Sequence, residues 1–493
     1  MSAVLERDTR RTLSGAGRVV LGDTPRRVKL LVTGLVVLAT LLGLVYGLGL
    51  ARDSTSFADL GARTTELGAT DDLYYRLNDM DAQAADALLV GYHPVDAAIV
   101  PTSVNAAASA SAYDVDRRAA DADLAEIARN PLLTGDAGRL LDDLGRYEAD
   151  IAQALYIDQT SPTPQQPATP PAAALSAYVA ASGLLHDALL PDASAITAQD
   201  ATAVDSSYSG DHAAMAGYGW SVGALALLLI VALVLGNAYY HRRFRRRLST
   251  LIPAVAVALA LGIVGLSAQL GEADHLHVAK QNAYDSIYAL TQAKAISDDA
   301  NADESRWLLE GRDPALQTSF FTEMSEVGSV SGYSAATDDP NAYYTGLAAE
   351  VGALSLDAPA NSVSHVTLGG YLGAELGNVT FPNEARDAYA AVTAFDAYAQ
   401  NDRTIREDAQ DGNLAGAVAF DIGLSAGQSN YDFSRYTNAL AQVVGVNQAA
   451  FDAAAAQGRA GVGAAAWTTV LLGWAFLLLL IAQSGRLRLR EYR

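Results

Sequence analysis

The 493-residue chain has no cysteine, which excludes a disulfide framework, a thiolate metal site and a thiol nucleophile. Lysine is nearly absent: Lys29, Lys280 and Lys294 are the full set, so positive charge rests on arginine. Basic side chains number 33 against 55 acidic ones, a formal charge of −22. Phosphate contacts need clustered Lys and Arg, so this balance excludes a nucleic-acid binder. Catalytic signatures are missing as well. There is no GxxxxGK[ST], no GxSxG, no Rossmann glycine fingerprint and no EF-hand spacing. His275 and His277 are the only two histidines close in sequence, and at i, i+2 on a helix they point apart. The paired acids Asp71-Asp72, Asp142-Asp143, Asp298-Asp299 and Asp338-Asp339 read as solvated faces or helix caps. The expectation is a protein that is not an enzyme and carries no cofactor and no metal.

A mean hydropathy of +0.13 is high for so acidic a chain and requires segregation. Four stretches without a charge are long enough to cross a bilayer, which takes about 20 apolar residues as helix. They run over 30–51, 216–240, 251–270 and 463–483. The first is longer than a signal-peptide core and has no clear cleavage site before Asp53, so it reads as an uncleaved anchor.

The short segments 1–29, 241–250 and 484–493 hold sixteen basic residues against four acidic ones. The positive-inside rule makes these the cytoplasmic N-terminus, loop and tail of a multi-pass plasma-membrane protein. The long segments 52–215 and 271–462 are then exterior, with 25 acidic and eight basic residues in the first, 26 and nine in the second, −17 each. The cytoplasmic pieces are too short to bury a core, so any inward output passes through another protein. The spans contain no ionisable residue, which argues against a coupled pump.

The unit of span, exterior domain and span occurs twice. Leu88-Leu89-Val90-Gly91-Tyr92-His93-Pro94 and Leu308-Leu309-Glu310-Gly311-Arg312-Asp313-Pro314 share a Leu-Leu-x-Gly-x-x-Pro pattern, with Gly then Pro as a helix stop. Leu73, Leu77, Met80, Ala84 and Leu88 recur at helical spacing, as do Leu141, Leu144, Tyr147, Ile151 and Leu155, and Leu440, Val444 and Phe451. Breaks fall at 101–113, 160–174 and 328–341, and the Gly-rich stretch 363–381 reads as loop or small hairpin. The Pro-rich stretch 161–171 reads as a surface linker. The fold expected is an all-α membrane protein, four transmembrane helices with two extracytoplasmic antiparallel four-helix bundles in tandem duplication.

Positive side chains are scarce outside. Arg306, Arg312, Arg403, Arg406 and Arg435, with Trp307 and the nearby Tyr288, Tyr431 and Tyr436, are the candidate ligand or partner residues. An Arg fork takes a carboxylate while an aromatic ring packs the rest of the ligand; the plainer reading is surface ion pairing. A protein-docking face fits a large bundle surface better. On the inner side Arg242, Arg243, Arg245, Arg246 and Arg247 are candidates for contact with a cytoplasmic partner or anionic membrane lipids.

The architecture resembles bacterial transmembrane sensors with an exterior four-helix bundle between two spans. Its Arg-for-Lys composition, four spans and Arg242–Arg247 loop resemble the GlnX-like actinobacterial membrane signalling proteins. That resemblance rests on topology, and no functional residue follows from it. It implies relay of an exterior amino acid signal from a solute-binding lipoprotein to a cytoplasmic Ser/Thr protein kinase. An envelope scaffold and a transport accessory subunit are the alternatives, and a homo-oligomer is compatible with either.

Overall fold

The computed structural model describes residues 24–94, 105–129, 134–245 and 249–490, and these are almost all helical. In order they are α1 (Thr24–Val90), α2 (Ala106–Ile127), α3 (Thr134–Thr160), α4 (Ala172–Leu184), α5 (Leu190–Phe244), α6 (Leu251–His277), α7 (Asp285–Leu309), α8 (Pro314–Val327) and α9 (Pro340–Ala353). A hairpin of β1 (Ser355–Asp357) and β2 (Ser362–Ser364) pairs Leu356 with Val363. Then come α10 (Gly370–Asn378), α11 (Glu384–Gln410), α12 (Leu414–Asp421), α13 (Ser429–Gly461) and α14 (Ala464–Leu489). Two π-helical turns, Leu185–Leu189 and Val278–Tyr284, join α4 to α5 and α6 to α7.

The chain divides into two compact units. An apolar unit comprises Met1–Asp59, Ser206–His277 and Ala454–Arg493, and a polar unit comprises Leu60–Asp205 and Val278–Ala453. Among the described residues, four helices are long and apolar enough to cross a membrane, and each anticipated span lies in one of them. In the apolar unit Leu35, Leu42, Tyr46, Leu229, Leu233, Ala258, Leu477 and Ile481 share a core. Its outward side chains are apolar too: Leu44, Leu227, Leu235, Ile263 and Leu472 are each more than half exposed. Helices that are apolar all round suit a hydrocarbon solvent.

Without a hydrophobic force between helices in lipid, close packing of small residues holds them together. On α6, a Cβ built at Gly262 would lie 2.5 Å from the Ala226 Cβ of α5. Gly271, farther along α6, has open space around it. Gly262→Val is therefore expected to destabilise the apolar unit by about 1–3 kcal/mol through overpacking. Gly271→Ala leaves the thermal midpoint of the detergent-solubilised chain unchanged or raised. Equal midpoints for Gly262→Val and wild type would contradict this packing.

In the polar unit, the first segment (60–205) contributes the end of α1, then α2, α3, α4 and the start of α5. The apolar stripes anticipated on α1 and α3 are buried at Leu73, Leu77, Met80, Leu88, Leu144, Tyr147 and Ile151. Leu141, read as part of the α3 stripe, is instead 56% exposed, because the face of α3 that packs is set by Leu140, Leu144 and Tyr147. The second segment (278–453) is cut into more pieces than four. Asp313 and Asp339 cap α8 and α9, accepting hydrogen bonds at 2.8 Å from the amides of Ala315 and Asn341, and a Pro follows each cap. The Gly-rich stretch holds α10 rather than a loop, since Leu372 and Leu376 bury one face of it; the hairpin lies earlier.

The two Leu-Leu-x-Gly turns end their helices alike. Gly91 (φ 71°) and Gly311 (φ 75°) take the left-handed conformation that a side chain disfavours. The Pro-rich stretch is not a free linker. The Gln165 amide donates to the His93 carbonyl at 2.8 Å, the Ala168 amide to the Leu89 carbonyl at 2.8 Å, and Gln165 is buried. It is strapped to the end of α1. Of the first anticipated break, 101–113, residues 101–104 lie outside the described residues, but 106–113 is helix rather than break, because Asn105 caps α2 by accepting from the Ala108 amide and Ala106, Ser109 and Tyr113 bury one face.

The two polar segments do not form separate bundles with separate cores. Leu73, Leu77, Leu88, Tyr147 and Ile196 of the first share one core with Trp307, Leu308, Leu309, Leu316, Ile405 and Ile422 of the second. A second core of Phe320, Phe321, Tyr343, Tyr344, Phe395 and Tyr436 belongs to the second segment alone.

Candidate functional site

Where the segments meet, the polar unit buries charge. Helix α7 carries Asp298, Asp299, Asp303, Glu304, Ser305 and Trp307, all 8% exposed or less. The sequence assigned Asp298-Asp299 to solvent; both are inside because α7 is covered on all sides. Isolated buried charges are strongly disfavoured, so each must be paired, hydrogen-bonded or neutralised.

One cluster centres on Asp81 of α1, which is fully buried. Tyr147 donates to it at 3.3 Å, Tyr178 at 3.1 Å and Ser182 at 3.0 Å. The Arg306 Nε lies 3.9 Å from Asp81 Oδ2 and 3.7 Å from Glu310 Oε1, and its Nη1 donates to Asp303 at 2.7 Å. His186 joins from the first segment: its Nε2 lies 3.0 Å from Asp299 Oδ1 and 2.9 Å from Arg306 Nη1. His186 is in the π-helical turn Leu185–Leu189. Pro191, two residues beyond that turn, lacks an N–H and crowds the carbonyl of residue 187, and the widened turn accommodates it.

A second cluster centres on Arg406 of α11, 3% exposed. Its Nε donates to both Asp402 oxygens, at 3.0 and 2.9 Å, and Tyr344 donates to the same carboxylate. The guanidinium carbon sits 4.5 Å from the Trp307 ring, 4.8 Å from Phe320 and 5.2 Å from Phe321. Its Nη1 and Nη2 have no hydrogen-bond partner among the described residues and face these rings. Burial alone would lower the Arg406 guanidinium, but the Asp402 carboxylate beside it holds it above its ordinary range.

A third cluster joins the segments through one hydroxyl. Ser305 Oγ lies 2.9 Å from Asp86 of α1 and 3.2 Å from Asp421 of α12. Glu304, next to it, accepts from Ser429 at 3.0 Å and from Tyr398 at 3.4 Å.

Of the residues anticipated from sequence, Arg406 and Trp307 are brought together. Arg306, adjacent to Trp307, takes the separate Asp303–His186 partners. Arg312 (φ 68°) donates to the Ala409 carbonyl at 2.7 Å. Arg403 pairs with Glu407 at 2.9 Å and Arg435 with Asp432 at 2.8 Å, both with exposed guanidinium groups, which is the plain ion-pairing alternative. Tyr436 is buried against Ser297 at 3.0 Å. A cavity of about 190 Å³ lined by Gln281, Asp285, Ser286, Glu375 and Asn378 includes none of the anticipated arginines. In the apolar unit Arg243 donates to Thr24 at 3.0 Å and Arg245 ends α5 with φ 53°; Arg246 and Arg247 lie outside the described residues, as do residues 1–23 of the basic N-terminus. His277 Nδ1 lies 3.2 Å from the Tyr208 hydroxyl rather than beside His275. Sequence reasoning missed His186, Asp81 and Asp86, which stand far in the chain from the residues they meet in the second segment, and Asp402, whose i,i+4 spacing to Arg406 was a signal available in the sequence.

Residues 56–209 match the family model of an actinobacterial sensor domain. The match takes in the first polar segment, under a third of the chain, and a sensor domain suggests a signalling role. No curated protein and no solved structure matches the chain.

Proposed function

We propose that the chain is a non-enzymatic transmembrane signal transducer. The polar unit faces the cell exterior, the termini and the Arg-rich loop are cytoplasmic, and the signal is the availability of an amino acid delivered by a solute-binding lipoprotein. The output is the docking of a cytoplasmic Ser/Thr protein kinase on Arg242, Arg243, Arg245 and the adjoining basic residues. The two polar segments are read as duplicated copies that share one core and act together. The observation that carries this reading is the sensor-domain match over residues 56–209. Chain continuity supports it: α1 is one helix of 67 residues that begins in the apolar unit and ends at the Leu-Leu-x-Gly turn. A rigid helix passes a shift of about 1–2 Å along its length.

The test uses the full chain in proteoliposomes with the lipoprotein and kinase. Adding an acidic or amide amino acid is expected to change kinase phosphorylation. A Gly-Gly-Pro insertion between Arg52 and Ala58 abolishes that response while lipoprotein binding persists. A response that survives such insertions in all four crossing helices, or no response to any amino acid, overturns the reading.

A further inference from the structure

The cluster around His186 has the parts of a metal centre. The His186 Nδ1 lies 2.8 Å from the Ser182 carbonyl, to which only an N–H can donate. That bond fixes the ring and turns Nε2 toward the second segment, the arrangement in which a metal-binding histidine is held by a backbone carbonyl. One donor atom each of His186, Asp299 and Asp303 lies within 4.8 Å of the others. Asp303 is 1% exposed, and its Oδ2 has no hydrogen-bond partner among the described residues. Around these groups stand Asp81, Glu310 and Glu323, against one permanent cation, Arg306. Five carboxylates thus face one guanidinium and one imidazole, with Asp303 buried and His186 partly exposed.

We propose that His186 Nε2, Asp299 and Asp303 bind one divalent transition-metal ion of the zinc or manganese class, bridging the two polar segments. One imidazole with two carboxylates selects these ions over Mg²⁺ and Ca²⁺, which prefer all-oxygen sites. Coordination bonds of about 2.0–2.2 Å suit His186 Nε2 and Asp299 Oδ1, already 3.0 Å apart, and bring the Asp303 donor in to complete the set. Arg306 is the competing occupant, with Nη1 at 2.9 Å from His186 Nε2. It has somewhere to go, because Asp81 Oδ2 and Glu310 Oε1 already lie 3.9 and 3.7 Å from its Nε. Metal binding therefore moves Arg306 from Asp303 to Asp81 and Glu310, and ties the π-helical turn of the first segment to α7 of the second. The site stands independently of the signalling role.

The full chain, purified in detergent and stripped with a chelator, is titrated with Zn²⁺, Mn²⁺ and Co²⁺ by calorimetry. The expected result is one ion per chain, a raised thermal midpoint, and a Co²⁺ visible spectrum of a low-coordinate nitrogen–oxygen site. Asp303→Asn, which keeps the side-chain shape, and His186→Gln each weaken binding by about 100-fold or more and abolish the spectrum. His275→Ala/His277→Ala leaves both intact. No uptake of any of the three ions, or unchanged uptake and spectrum in both Asp303→Asn and His186→Gln, overturns the proposal.

Discussion

Arg406→Ala is expected to lower the stability of the polar unit by about 3–5 kcal/mol, the cost of leaving one partner of a buried ion pair uncompensated. Three losses combine. Asp402, fully buried, keeps only the Tyr344 hydroxyl. Trp307, Phe320 and Phe321 lose the cation over their faces. The vacated volume becomes a cavity inside an aromatic core. The double variant Arg406→Met with Asp402→Asn recovers most of the loss, because it removes the charge and fills the space. Arg403→Ala, one turn away on the surface, changes stability by about 0.5 kcal/mol or less. Chemical unfolding of the full chain in detergent measures all three. A small effect of Arg406→Ala, equal to that of Arg403→Ala, would refute the structural role given to this arginine.

The second large effect is a loss of stability as pH rises. Ser305 has a single hydroxyl proton for two carboxylates, Asp86 and Asp421, so hydrogen-bonding both acceptors and relieving their repulsion requires a proton on one of the two acids. Burial pushes Asp86 up to about 7, against the opposing hydrogen bonds from Ser305 and Asn430, with Asp79 adding repulsion. Burial likewise raises Asp421 well above the usual carboxylate range, with Asp86 adding to it and the Ser305 hydroxyl opposing. Glu323 is raised by burial and by Asp299 and Asp303. A carboxyl whose folded-state pKa is raised binds its proton more tightly in the native state than in the unfolded chain. Its stabilisation is therefore full near pH 4 and is lost as pH climbs through 7. Each pKa unit corresponds to about 1.4 kcal/mol, so the drop between pH 5 and pH 8 is on the order of a few kcal/mol. Asp421→Asn removes one of the two charges at Ser305, which raises the pH 8 unfolding midpoint and flattens the profile. A midpoint that increases from pH 5 to pH 8, or an Asp421→Asn profile as steep as wild type, contradicts the shared-proton account.

Much of the fold was legible because its causes are local. Twenty uncharged apolar residues with arginine beside one end have few places to go other than a bilayer, and all four runs lie in helices of that character. Gly91 and Gly311 mark helix ends because the left-handed backbone there suits glycine. The Asp-Pro pairs at 313–314 and 339–340 begin helices for equally local reasons. What was not legible is which surface covers which. The stripe of Leu73, Leu77 and Leu88 shows that a face is buried, but not that Trp307, Leu309 and Ile405 complete its core. The same gap misplaced Asp298 and Asp299. A carboxylate's burial depends on partners such as His186, distant in the chain and recognisable only once the helices have packed. Arg406 and Trp307 were picked out because cations are rare in so acidic a segment, yet scarcity does not reveal that they would stack on one another.

The fourth crossing helix is not continuous. It stops at Gly461 and resumes at Ala464, with Gly463 extended at φ −72°, ψ −175° between them. Three unbroken shafts and one articulated shaft do not respond equally to load. Gly463 has no side chain to restrict its backbone, so torsion in α13 need not pass into α14. The joint leaves α14 free to take an orientation of its own, and an alanine pair at 462–463 is expected to fuse α13 and α14 into one helix.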